Sequence, residues 1–143
     1  MKEVILRYID DSREFAKDFA KTLKIPQIIT FTGNLGSGKT TIIRELIRSL
    51  NKTQENIISP SFNILQIYET KEYEIYHYDL YRIKNSNELY ELDFEYAFDN
   101  CLTIIEWPEK IIPFINKDFI NIKITVETDH TRTLEIENRK YHV

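Results

Sequence analysis

The spacing of apolar positions changes period several times along the chain. "EVILRYI" near the amino terminus is rich in β-branched residues and predicts a first strand. Phe15, Phe19 and Leu23 then recur every four positions, which places them on one face of a helix. Asp11, with Glu14 three residues on, predicts a capped start for that helix, and Pro26 closes the region. "QIITFT", residues 27–32, is almost wholly apolar and suits a strand buried on both faces. Ile42, Ile43, Leu46, Ile47 and Leu50 restore a helical stripe.

Further on, "FNILQIYET" and "YEIYHYDLYR" read as two strands joined by a polar turn near Lys71, an antiparallel pair. "NELYELDFEYAFDN" reads as helix, and "CLTIIEW" as a buried strand that stops at an acid. "DFINIKITVET" and "RTLEIEN" suggest a second hairpin, turning around Asp129 and His130. With no repeat, linker or low-complexity segment, residues 1–143 predict one domain of α/β class. The expected architecture has three layers, with parallel central strands and antiparallel additions.

Between the buried strand and the next helix lie all three glycines of the chain, in "TFTGNLGSGKTTII". Gly33, Gly38, Lys39 and Thr40 fit G-x-x-x-x-G-K-[ST], the phosphate-binding loop of nucleoside triphosphatases. Glycine at 33, 36 and 38 lets backbone N–H groups turn inward without an obstructing Cβ, and the following helix adds its positive end. The loop residues Asn34, Leu35, Ser37 and Thr41 fall within the same cradle. Lys39 is expected to reach the β- and γ-phosphates, and the Thr40 hydroxyl to ligate Mg²⁺. Such a loop needs an acid across the metal, and Asp79 and Glu106 both end predicted strands. Either suits direct or water-mediated Mg²⁺ binding or the orientation of an attacking water; each could equally be a solvated strand-end carboxylate.

Composition narrows the classes. Net charge is -4, and the lysines and arginines form no cluster that would neutralise a run of phosphates, which argues against strong independent nucleic-acid binding. Cys101 stands alone, and His77, His130 and His142 follow no metal-ligand spacing. The amino terminus lacks an apolar signal-peptide core, and no apolar run approaches the roughly 20 residues of a membrane span. A reduced, cytoplasmic protein is expected.

Four segments in order, "GNLGSGKTT", "SPSF" at 59–62, "YHYDLYR" at 76–82 and "IIEWPE" at 104–109, resemble the bacterial TsaE family over most of the chain, from Ser12 to Arg132. The resemblance implies an ATPase, using ATP and Mg²⁺, that assists synthesis of threonylcarbamoyladenosine beside the anticodon of tRNAs reading codons that begin with A. It implies TsaB and TsaD homologues as partners, with TsaD transferring the threonylcarbamoyl group and ATP hydrolysis resetting the complex, so that tRNA is met only through them. It gives Thr40 and Glu106 as the metal pair, Lys39 as the phosphate lysine, Asp79 as the acid of "DLYR", and Trp107 as a neighbour of the nucleotide. Ser61 stands where the family commonly has threonine. Ser12 aligns with a residue on the base side of the nucleotide and Arg132 with a late basic residue. From the residues alone, Ser12 also reads as a helix cap, Arg132 as a surface charge and Trp107 as an aromatic at the core edge.

Tyr68, Tyr73, Tyr76, Tyr78 and Tyr81 crowd the central hairpin, where cross-strand packing is the reading favoured over a partner surface. A small GTPase is excluded: "NKDF" at 116–119 puts the acid one place early for N-K-x-D, and no glycine remains for a D-x-x-G switch. Transporter ATPases fail likewise for want of paired glycines. A small-molecule kinase and a nucleotide-gated binding module with negligible hydrolysis remain as alternatives.

Overall fold

The computed structural model describes residues 1–34, 36–51 and 64–141; Leu35, "SPSF" with its Ser61, and His142 lie outside the described residues. Among the described residues the strands are β1 (Lys2–Leu6), β2 (Gln27–Thr32), β3 (Leu65–Glu69), β4 (Glu74–Asp79), β5 (Leu102–Glu106), β6 (Phe119–Val126) and β7 (Arg132–Arg139). They form one sheet in the order β1-β7-β6-β2-β5-β4-β3. The centre, β6-β2-β5-β4, is parallel, while β3, β7 and β1 are added antiparallel, as the sequence pattern predicts.

Strand periodicity divides the core in two. Ile29 and Phe31 of β2, Leu102 and Ile104 of β5 and Ile75 of β4 pack beneath α1 (Ile9–Ala20) and α2 (Lys39–Asn51), which supply Ala16, Ile42, Ile43, Leu46 and Ile47. Alternate residues Ile28, Tyr76, Tyr78 and Ile105 face the other way, onto Leu89, Ile111 and α3 (Phe94–Asn100). Both faces of the central strands are therefore covered, which explains their nearly continuous apolar runs. The third layer is modest, since the segment read as one helix divides. Ser86–Leu92 is a 3-10 helix, and Asp93, with φ of 53°, interrupts it before α3. The central tyrosines are mostly packing groups: Tyr68, Tyr76 and Tyr78 are buried, and the Tyr78 hydroxyl donates to the Leu92 carbonyl at 2.6 Å. Among the described residues no helix is long and apolar enough to cross a membrane.

Two local expectations are corrected. The first strand stops at Leu6, because Tyr8 and Ile9 already belong to the start of α1. Asp11 is not the residue that precedes the helix; it lies in the first turn, where its Oδ2 accepts from the backbone N–H groups of Arg7 (2.8 Å) and Tyr8 (2.9 Å). A carboxylate there also faces the positive end of the helix. Ser12 consequently sits inside α1, buried, and is not its cap.

The chain leaves β2 for α2 through residues 33–38, and two glycines fix how closely that loop lies on the sheet. Gly33 has φ of 142°, and a Cβ there would come within 2.6 Å of the Ile124 carbonyl oxygen on β6. Gly38 has φ of 100°, and its Cβ would meet the Arg132 Nε at 2.7 Å. Gly36, with φ of 79°, has nothing within 4 Å of a built Cβ, so only its backbone conformation is at stake. Gly36→Ala is expected to cost about 1–2 kcal/mol, the usual strain of a left-handed alanine. Gly33→Ala meets rigid backbone as well and should cost about 3 kcal/mol or more. Urea denaturation of the two variants checks this; equal losses would contradict the close seating of Gly33 on β6.

Candidate functional site

Parallel pairing makes the central strands end at one level. Asp79 is the last residue of β4 and Glu106 the last of β5, and the two are register partners. Phe31 of β2 pairs with Glu106 on its other side, one residue before the chain reaches Thr32 and the glycine loop. Since residues two apart share a face, Asp79 and His77 lie on the side of Ile75, and Glu106 on that of Leu102 and Ile104. This is the face covered by α1 and α2. The loop, the first turn of α2 and both acids thus meet at the carboxyl end of the sheet, where open α/β sheets bind ligands.

The loop is tied down from both sides. Ser37 N–H donates to the Asn34 carbonyl at 3.1 Å, and Ile42 N–H to Gly38 at 3.2 Å, which starts the α2 ladder. Arg132, the first residue of β7, donates from Nε to the Ser37 carbonyl at 2.8 Å. It is a partly buried clamp on the loop backbone, not a solvated surface charge. Ser37 is buried, and its hydroxyl has no hydrogen-bond partner among the described residues. Asn34 and Thr41 are exposed, Thr40 is half-buried, and Ser12 lies within α1.

Lys39 is only 5% exposed. Its Nζ donates to the Gly33 carbonyl at 2.7 Å and stands 3.6 Å from the centroid of the Trp107 ring. Burial lowers the pKa of this ammonium, opposed by the carboxylates of Glu106, Glu109 and Asp79. Trp107 turns out of β5 with φ of 55°, and Pro108 opens a short 3-10 turn behind it. The indole also packs on Tyr81, with ring centroids 4.9 Å apart. Contact with the Lys39 ammonium, and not with the core edge alone, is the setting of Trp107.

Neither acid is a freely solvated strand end. Glu106 is 3% exposed, and its Oε2 lies 2.9 Å from Nε2 of His77, itself buried on β4. Asp79 is half-buried and accepts from the Tyr81 N–H at 3.1 Å. Burial raises its pKa, reinforced by Glu106 and opposed by the Tyr81 hydrogen bond, His77 and Lys39. His77 is the residue that sequence reasoning missed. Its signal was its place two residues before Asp79 in a strand, on the same face.

Three carboxylates act on one ammonium here, an arrangement that favours an added cation. Among the described residues no group of three or more His, Cys, Asp and Glu side chains could hold a metal by itself. Glu106 and the Thr40 hydroxyl are oxygen donors of the kind Mg²⁺ accepts when phosphate oxygens and water complete its shell, so the residues fit that ion. A cavity of about 1070 Å³ beside Lys17, Arg48, Lys71 and Tyr73 opens at the opposite end of the sheet and holds none of these groups.

The family model described as "Threonylcarbamoyl adenosine biosynthesis protein TsaE" matches residues 6–134. The chain is 42% identical over 131 residues to the tRNA threonylcarbamoyladenosine biosynthesis protein TsaE of Rickettsia prowazekii, covering 92% of this chain and 91% of that one. It is 34% identical over 116 residues to the protein of the same name from Aquifex aeolicus, covering 79% and 81%. In three dimensions it superposes on the crystal structure of YdiB from Bacillus with a TM-score of 0.77 at 21% identity, over 97% of this chain and 85% of that one, which shows a shared fold. With the family model spanning most of its length and relatives this similar, the chain belongs to the TsaE family.

Proposed function

We propose that this protein is an ATPase that serves threonylcarbamoyladenosine modification of tRNA, acting with TsaB and TsaD homologues. The observation that carries the reading is the convergence, at one end of the sheet, of the glycine loop with Lys39, the β4 and β5 acids Asp79 and Glu106, and Trp107. Membership of the TsaE family supports the tRNA side of it. The acidic balance of the chain supports a route to tRNA through partners and not by direct binding.

In this reading the loop N–H groups and the start of α2 receive the phosphates of ATP, and Lys39 exchanges the Gly33 carbonyl for a phosphate oxygen. Thr40 and Glu106 hold Mg²⁺, which when bound supplies charge neutralisation on the phosphate oxygens. Asp79 orients the attacking water and takes its proton; the pKa raised by burial makes it a stronger base than an exposed aspartate. The water oxygen bonds to the γ-phosphorus as the bond to the ADP oxygen breaks. Trp107 covers the lysine and limits water around it.

Three outcomes are expected. Lys39→Ala loses a charged contact to the transferring phosphoryl group and should lower kcat about a hundredfold, equivalent to about 3 kcal/mol. A coupled phosphate-release assay with the purified variant checks this, and hydrolysis at the wild-type rate would refute it. Because Trp107 contacts Lys39, ATP with Mg²⁺ should change its fluorescence saturably, with a weaker response in Lys39→Ala. A flat emission spectrum under conditions where calorimetry detects binding would remove Trp107 from the nucleotide site. Finally, expression in a bacterium depleted of its own TsaE should restore threonylcarbamoyladenosine, read by mass analysis of tRNA nucleosides. Failure to restore it by a protein that hydrolyses ATP would separate the enzyme activity from the tRNA role.

A further inference from the structure

The His77–Glu106 contact has no role in the chemistry set out above, and stability does not account for it. His77 is 1% exposed on β4 and Glu106 is 3% exposed on β5. Their neighbours on the same face, Ile75 and Ile104, are fully buried apolar residues. A buried polar pair in such surroundings gains little over apolar side chains of similar volume, because both groups give up water. The cost is visible in the other ring nitrogen: Nδ1 of His77 is buried with no hydrogen-bond partner among the described residues. An aliphatic residue at 77 would fill the space without that penalty.

The contact does fix one atom. A carboxylate only accepts hydrogen bonds, so the ring nitrogen facing it, Nε2, carries the proton and donates to Oε2. Among the described residues that is the only hydrogen bond of the Glu106 side chain, and none of them hydrogen-bonds Oε1. Glutamate has three side-chain torsions, so the place of Glu106 as the last residue of β5 does not by itself fix where its carboxylate points. Register supplies the restraint. His77 pairs with Ile104 and Asp79 with Glu106, so the imidazole reaches diagonally across the ladder to the carboxylate.

We propose that His77 is a positioning residue for the metal: it holds one oxygen of Glu106 so that the other is aimed and available to Mg²⁺. This rests on the reading of Glu106 as a metal ligand given above. Hydrogen bonds to a ligating carboxylate of this kind typically change metal affinity 10–100-fold when removed.

The test measures the Mg²⁺ requirement directly, by titrating Mg²⁺ into the protein with ADP and following Trp107 emission, with calorimetry as a second readout. His77→Leu and His77→Asn remove the donor at the Nε2 position, while His77→Gln can place an amide N–H there. The first two should raise the half-saturating Mg²⁺ concentration about tenfold or more and leave ADP affinity without Mg²⁺ unchanged. The Gln variant should return to within about threefold of wild type. In a Glu106→Gln background, His77→Leu should have no further effect on Mg²⁺. An unchanged Mg²⁺ requirement in a folded His77→Leu or His77→Asn variant overturns the proposal, as does an effect that persists without Glu106. If circular dichroism shows that neither variant folds, His77 holds the sheet and not the carboxylate, and the proposal falls. A wild-type protein whose nucleotide binding ignores Mg²⁺ removes the underlying reading of Glu106, an outcome distinct from the others.

Discussion

The parallel ladder at the centre of the sheet is the constraint on which the site depends. Parallel strands carry their carboxyl ends to one edge, and the pairings Phe31 with Glu106 and Glu106 with Asp79 make those ends level. No short-range preference could put Asp79 within reach of a loop some forty residues earlier. Once β2, β5 and β4 are in register, the alternation of side chains does the rest: His77, Asp79 and Glu106 all project towards α2, whose first turn carries Lys39 and Thr40. The antiparallel strands outside this centre contribute support, of which the Arg132 clamp is the clearest instance.

Electrostatics in this corner are a balance and not a simple attraction. Burial works against the Lys39 ammonium, three nearby carboxylates work for it, and burial has the larger effect. The charge is therefore held by contacts of short range, the Gly33 carbonyl and the face of Trp107, which restrict where it can go. Asp79 shows the reverse case, a carboxyl whose pKa is raised by burial more than the Tyr81 hydrogen bond, His77 and Lys39 lower it. Burial moves both groups towards their neutral forms, and such perturbed groups gathered at one end of a sheet make this corner a functional-site candidate.

Much of this was legible in the sequence where the signal was local. The spacing of Gly33, Gly38, Lys39 and Thr40, the apolar run of β2 and acids at two strand ends required only short-range reading. Misreadings came where alternatives differ by one hydrogen bond. Asp11 accepts from Arg7 and Tyr8 N–H groups instead of preceding the helix, which moves the start of α1 back to Ile9. Asp93 in the left-handed region divides a segment whose composition suits one helix. The partners of His77 and Arg132 were beyond local reading for a different reason: each is set by strand register and lies far away in sequence.

That distance has a consequence for how the molecule is made. The Arg132 contact with the Ser37 carbonyl joins positions 95 apart, and Gly33 rests on a carbonyl of Ile124. Closures of such span cost more chain entropy than local ones, and neither contact can exist before the β6–β7 hairpin is present. A chain that ends at α2 lacks both surfaces on which the loop rests, the Ile124 carbonyl of β6 and the Arg132 side chain of β7. A half-built molecule therefore holds residues of the site without the contacts that shape it.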